Sequence, residues 1–174
     1  MSVAKDLRAH IREVEDFPTP GVGFKDITPL LADPVALKQS IGDLASWVKS
    51  KKADIVLGAE ARGFILGAAI ASKAGCGFVP ARRPGKLPPE TISATYVIEY
   101  GENVLEVHPD MIPVGSRVVI HDDVLATGGT VEAICGLVEK IGADVVGACF
   151  IIELSFLGGR DRLDGMDVHS LITY

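Results

Sequence analysis

The chain has 174 residues, 48% hydrophobic and 23% charged, which suits one folded domain with a sizeable core. Its formal net charge of −6 excludes the broad basic face that a duplex nucleic-acid binder needs, while a local cluster of Arg and Lys could still take a small anion. No apolar run is long enough to span a bilayer, and Met1 to Ile11 has no signal-peptide core, so a cytoplasmic protein without nucleic-acid or membrane partners is expected.

Val3, Leu7, Ile11 and Val14 recur at helical spacing and predict an opening amphipathic helix, broken by Phe17-Pro18-Thr19-Pro20-Gly21. The stretch from there to Leu31 reads by composition as a turn-rich linker. Asp33-Pro34 supplies an N-cap and a first-turn proline, and Leu37, Ile41, Leu44 and Val48 share one face, which predicts a helix over 34–51. Asp54-Ile55-Val56-Leu57-Gly58 is a short buried strand. Ala61 to Ala74 is a helix ended by Gly75, and Phe78 to Ala81 is a second strand. Arg117 to His121 is a third strand, Thr130 to Ile141 a helix and Asp144 to Ile152 a fourth strand. Strands alternating with helices predict a single α/β domain over 1–174 with a mostly parallel central sheet.

Residues 82–110 interrupt that alternation. They open basic and proline-rich, then continue as two alternating runs, Thr95 to Tyr100 and Val104 to His108, around Gly101-Glu102-Asn103. This pattern predicts a β-hairpin excursion, either a mobile lid or an ordinary edge hairpin. The three cysteines, Cys76, Cys135 and Cys149, are odd in number and lack metal-ligand spacing, so they read as reduced core thiols.

The sharpest chemical signal is the run Val118 to Thr130, in which an apolar strand leads into Asp122-Asp123 and then Ala126-Thr127-Gly128-Gly129-Thr130. Glycines let a backbone approach a phosphate, and the hydroxyls and N–H groups at a helix start can ring its oxygens. The run is neither a Walker loop nor GxGxxG. Two carboxylates beside a phosphate loop make sense if they hold sugar hydroxyls or a Mg²⁺ shared with the substrate. A ligand with both a phosphate and a diol follows, a ribose 5-phosphate.

This run resembles the phosphoribosyl-pyrophosphate signature of the type I phosphoribosyltransferases. The resemblance implies that Ala126, Thr127, Gly128, Gly129 and Thr130 bind the 5-phosphate and that Asp122 and Asp123 lie beneath the ribose hydroxyls. It implies a pyrophosphate-binding turn at Gly58 to Phe64, with Glu60, Ala61 and Arg62 as its centre and a strained or cis peptide near Glu60-Ala61. Three further stretches are similar to the adenine-using branch. In Asp16 to Leu31, which there covers the base as a hood (about 1–33 with the opening helix), Phe24 would stack on the purine and backbone groups near Gly23 and Lys25 would read its edge. In Ala81 to Pro88, Arg82, Arg83 and Lys86 would meet pyrophosphate, although lysine is usual where Arg83 stands. In Tyr96 to Gly101, Glu99 and Tyr100 match the catalytic loop, so 82–110 would be a flexible catalytic segment.

The implied reaction is transfer of the 5-phosphoribosyl group of phosphoribosyl pyrophosphate to adenine, giving AMP and pyrophosphate, with Mg²⁺. The catalytic residues by resemblance are Glu99, Tyr100 and Arg62, with Glu99 either relaying the proton lost from adenine or stabilising charge near the sugar. A homodimer is expected by the same resemblance. Two alternatives are a phosphoribosyltransferase for an oxopurine and a regulator that binds phosphoribosyl pyrophosphate as a signal. His121, where an apolar residue is usual, reads as structural.

Overall fold

The computed structural model describes residues 7–17, 19–98 and 101–174. In chain order its elements are β1 (Arg12–Val14), β2 (Phe24–Asp26), α1 (Thr28–Ala32), α2 (Pro34–Ser50), β3 (Ile55–Ala59), α3 (Arg62–Ala74), β4 (Gly77–Ala81) and β5 (Ile92–Ile98). There follow β6 (Gly101–Val107), β7 (Arg117–Leu125), α4 (Gly129–Ile141), β8 (Asp144–Glu153), α5 (Gly159–Arg162) and β9 (Val168–Thr173). The central sheet runs β4-β3-β7-β8-β9 with every pair parallel.

Both faces of this sheet are covered, which is why β3 is buried along its whole length and reads as an unbroken apolar run. Side chains alternate along β7. Val118 and Ile120 face Ile134, Leu137 and Val138 of α4, while Val119 faces Leu44 and Val48 of α2 and Leu66 and Ile70 of α3. The helix over 34–51 forms as predicted, with Asp33 Oδ1 accepting from the N–H groups of Val35 and Ala36 at 2.9 and 2.7 Å. Gly75 ends α3 at φ +83°, where a side chain would be strained.

Four local expectations change. Leu7 and Arg8 are helical, but the predicted opening helix does not reach Val14, and Val3 lies outside the described residues. Arg12–Val14 pairs antiparallel with Phe24–Asp26 instead. The cross-strand ion pairs Arg12–Asp26 and Glu13–Lys25 (2.6 Å for the latter) favour the ribbon over a further helical turn. The composition-based linker therefore contains β2 and α1.

β7 does not end at His121. It continues to Leu125, pairing with β8 as far as Leu125↔Glu153, whereas its ladder with β3 stops at Gly58↔His121. Asp122 and Asp123 thus sit inside a strand, on a stretch from which β3 has withdrawn. The hairpin pairs Ile98 with Gly101, so the expected turn at Gly101-Glu102-Asn103 is strand. The last residues, which the sequence left unassigned, add the edge strand β9.

The hairpin is not a detached lid at its base. Leu105 and Val107 are buried against the core, and Arg82 and Glu106 exchange backbone hydrogen bonds at 2.8 and 2.7 Å. Burying each such side chain contributes roughly 1.5–3 kcal/mol. Lifting the base would therefore cost several such contributions.

Candidate active site

The order of the sheet reverses between β3 and β7, and the crevice at their carboxyl ends is where open α/β sheets hold ligands. Two of the sequence-predicted segments meet there. The turn after β3 carries a cis peptide between Glu60 and Ala61 and leads into α3 at Arg62. Gly63 in that first turn packs so tightly on β7 that a Cβ would lie 2.8 Å from the His121 carbonyl oxygen and 3.2 Å from Asp122 Oδ1. The start of α3 is thereby held against the acid pair.

Arg62 ties these parts together. Its Nε lies 2.7 Å from Asp123 Oδ2, and its guanidinium carbon lies 5.0 Å from the ring centre of Phe24. Asp123 is 2% exposed, and its Oδ2 accepts no aligned hydrogen bond among the described residues. Asp122 Oδ1 accepts from the Asp123 N–H at 2.9 Å. Burial and the neighbouring Asp123 charge push the Asp122 carboxyl well up. Burial also raises Asp123, with Arg62 working against it. No cluster of three or more His, Cys, Asp or Glu among the described residues could hold a metal ion by itself. The acid pair fits a divalent cation only if a ligand supplies further oxygens: it offers an unsatisfied buried carboxylate oxygen and two charges a cation would relieve.

The Glu60 side chain is engaged by the basic element. Its Oε2 accepts from Arg82 Nε at 3.2 Å and from the Arg83 N–H at 2.8 Å, with Arg83 Nε 3.7 Å from Oε1. Burial acts to raise Glu60, but those hydrogen bonds and the two arginine charges outweigh it and hold the carboxyl below its usual range. Glu60 thereby orients the basic element. The Arg82 guanidinium also donates to the Lys86 carbonyl at 3.1 Å, and the Lys86 side chain is exposed.

Ala126, Thr127 and Gly128 link β7 to α4, whose first residues are Gly129 and Thr130. Gly128 adopts φ +80° as the N-cap and no side chain caps the helix, so the first N–H groups of α4 are free of a side-chain acceptor. The loop rests on α5. A Cβ on Gly159 would stand 2.1 Å from the Ala126 carbonyl oxygen, and one on Gly128 would stand 2.9 Å from the Gly159 carbonyl oxygen. Arg162 pairs with Glu132 of the first turn of α4 at 2.7–2.8 Å, clamping the two helices and offsetting the acid at that helix start.

Beside Arg62 opens a cleft of about 390 Å³, mostly apolar in its lining, including Phe17, Phe24, Ile27, Leu31 and Ile65. Phe17 meets Phe24 edge-on with ring centres 5.1 Å apart. Asp26, on the same rim, accepts from the Thr28 hydroxyl and N–H at 2.6 and 2.8 Å, and these with Arg12 hold its carboxyl down at about 2. Gly23 and Lys25 do not line the cleft, and the Lys25 ammonium turns to Glu13 and Tyr174, which leaves only its backbone for a ligand.

The structure thus gathers Glu60, Ala61, Arg62, Arg82, Arg83, Asp122, Asp123, the 126–130 loop and Phe24 around one crevice. Glu99 and Tyr100 lie outside the described residues. His121 is fully buried. Its Nδ1–H donates to the Cys149 carbonyl at 3.0 Å, so Nε2 is the bare nitrogen, and burial pushes the ring down to about 4. Its ring packs toward α3, where a Cβ on Gly67 would lie 3.5 Å from His121 Cδ2, and it takes no part in the crevice. Phe17, Leu31 and Ile65 were not singled out from sequence, and nothing in their spacing marks them.

The sequence pattern of the phosphoribosyl transferase domain matches residues 31–165. An adenine phosphoribosyltransferase of Desulfitobacterium hafniense is 52% identical over 171 residues, 98% of this chain and 99% of its own. The chain belongs to the adenine phosphoribosyltransferase family. The crystal structure of the Thermoanaerobacter pseudethanolicus adenine phosphoribosyltransferase is 50% identical and superposes with a TM-score of 0.95, covering 98% of this chain and 99% of that one. The Saccharomyces cerevisiae adenine phosphoribosyltransferase, solved with an imino-altritol bisphosphate and adenine, is 37% identical with a TM-score of 0.92, covering 97% and 98%. The fold, with its parallel sheet, hairpin and N-terminal ribbon, is that of the family.

Proposed function

We propose that this chain transfers the 5-phosphoribosyl group of phosphoribosyl pyrophosphate to adenine, giving AMP and pyrophosphate, as in purine salvage. The observation that carries this reading is Arg62, whose Nε pairs with Asp123 of the acid pair while its guanidinium carbon lies over the Phe24 ring. Base slot and sugar-phosphate crevice are therefore contiguous, as a nucleotide product requires.

In this reading the N–H groups of the Ala126-to-Thr130 loop and the helix start bind the 5-phosphate. Asp122 and Asp123 take the ribose diol. Arg62, Arg82, Arg83 and Lys86 draw charge from the pyrophosphate by charge-assisted hydrogen bonds. Phe24 stacks on adenine, with Gly23 and Lys25 reading its edge through the backbone. The bond from the anomeric carbon to pyrophosphate breaks, a bond to an adenine nitrogen forms, and that nitrogen loses its proton. Glu99, whose stretch resembles the family's catalytic loop, would accept that proton or steady the positive sugar centre, and Tyr100 would pack on the closed loop. Asp122 and Asp123 would help hold a Mg²⁺ that arrives with the substrate, and the ion would supply counter-charge to the leaving group. The same reading extends to a cytoplasmic homodimer, for which gel filtration at assay concentration is the test.

AMP formation from adenine, phosphoribosyl pyrophosphate and Mg²⁺, with guanine, hypoxanthine and xanthine in parallel, tests the proposal. Turnover of adenine alone is expected. Turnover of an oxopurine alone would refute the assignment of the base slot.

A further inference from the structure

Tyr174 is tied by its backbone to the strand ends beneath the crevice. Its N–H donates to the Glu153 carbonyl at 2.8 Å, and its own carbonyl accepts from the Ser155 N–H at 2.9 Å and from the Ser155 hydroxyl. Glu153 pairs with Leu125 across β7 and β8, and the Leu154 N–H donates to the Leu125 carbonyl at 2.9 Å. Leu125 is the residue before the 126–130 loop, so this anchorage belongs to the sugar-phosphate side of the site.

The ring of Tyr174 reaches the other side. The Lys25 ammonium lies 4.2 Å from its centre and the Arg8 guanidinium carbon 4.1 Å. Lys25 is the middle residue of β2. Its neighbours Phe24 and Asp26 line the cleft, and in a strand alternate side chains point to opposite faces. Tyr174 therefore bears on the back of the strand whose front meets the base. Among the described residues the β1–β2 ribbon shares no ladder with the central sheet, so its placement depends on such side-chain contacts.

We infer that Tyr174 is a positioning residue for the base: its ring fixes the distance between the adenine-stacking ribbon and the sugar-phosphate crevice. This rests on the reading of Phe24 as the base platform. A cation is attracted to the face of an aromatic ring and not to an aliphatic side chain of similar size, so the ring itself is what matters.

The test compares Tyr174→Phe, Tyr174→Leu and Tyr174→Ala by steady-state kinetics in both substrates, with thermal midpoints measured alongside. Loss of both cation–ring contacts in the Leu and Ala variants should raise KM for adenine about tenfold. KM for phosphoribosyl pyrophosphate and kcat should stay near the original values, and Phe should restore the adenine KM. A Leu variant as good as Phe would overturn the inference, because apolar bulk alone would then suffice. So would both KM values rising together, or an adenine KM that none of the variants moves. Phe24→Ala separates the two readings. If Phe24→Ala raises the adenine KM and the Tyr174 variants do not, only the positioning inference fails; if Phe24→Ala leaves it unmoved, the base platform fails as well.

Discussion

Gly159→Ala tests whether the phosphate loop is held from behind by α5. The added methyl would stand 2.1 Å from the Ala126 carbonyl oxygen, 3.0 Å from the Ala126 carbonyl carbon and 3.1 Å from Leu125 Cδ1. Contacts to a real Cβ essentially never fall under 3.0 Å, so the Ala126 peptide must retreat by close to an ångström or α5 must shift by as much. Overpacking of this kind costs about 1–3 kcal/mol of stability. The kinetic effect should be larger than the stability loss suggests, because a displacement of about 1 Å in a positioning element can cost around 100-fold in rate. The expected result is a fall of about 100-fold in kcat/KM for phosphoribosyl pyrophosphate, with weakened binding of ribose 5-phosphate and unchanged binding of pyrophosphate by calorimetry. Gly165→Ala is the control. Unlike Gly159 it sits at positive φ, +81°, but its methyl meets nothing within 4 Å, so it should lose stability through its backbone without losing activity. A folded Gly159→Ala protein with kcat/KM within threefold of the original would refute the buttress.

Three further outcomes follow from the electrostatics. Asp123→Asn should raise the thermal midpoint of the ligand-free protein at pH 7 while abolishing phosphoribosyl pyrophosphate binding: the folded chain holds its proton above the ordinary carboxylate range, so ionisation there subtracts from stability as pH rises. His121, held neutral down to about 4 against an ordinary 6.5, should cost the protein roughly 3 kcal/mol as pH falls from about 6.5 to 4, since the unfolded chain binds that proton first. Urea midpoints across that range should show a shallower pH slope in His121→Leu whatever its absolute stability. Glu60→Ala should raise KM for phosphoribosyl pyrophosphate by about tenfold or more through loss of charged hydrogen bonds to Arg82 and Arg83, leaving KM for adenine unchanged in the same assay.

What could be read before the structure was what is contiguous in the chain. The acid pair, the loop behind it and the helix start all lie within Val118 to Thr130, and the turn after β3 lies within Gly58 to Phe64, so one strand–loop–helix unit states each. Partnerships across the chain were not legible. Glu60 and Arg82 are 22 residues apart and Glu132 and Arg162 are 30 apart, and neither spacing belongs to any helical or strand period. The ribbon strands failed for a different reason. Three residues are too few to show alternation, and Val14 happens to continue the helical spacing of Leu7 and Ile11. The hairpin turn was misplaced by the glycine rule. Gly101 attracts a turn reading, yet it takes a paired position in β6 opposite Ile98.

The acid pair also explains why this part of the sheet breaks the rules the rest obeys. A buried carboxylate with an unsatisfied oxygen, next to a second carboxylate, is a poor choice for stability, and a single partly exposed arginine does not neutralise both. β3 withdraws from β7 at the point where the acids begin, so no ladder partner covers them on that edge. The cost is sustained by a sheet whose remaining strands are packed on both faces. Arg62 is the only counter-charge within ion-pair distance of Asp123 among the described residues. A ligand that brings a diol supplies donors to the carboxylates, and one that brings pyrophosphate supplies acceptors to Arg62. A substrate carrying both relieves the strain on both partners at once, whereas either fragment alone would satisfy one and leave the other. The arrangement therefore favours the intact phosphoribosyl pyrophosphate over its separate parts on electrostatic grounds alone.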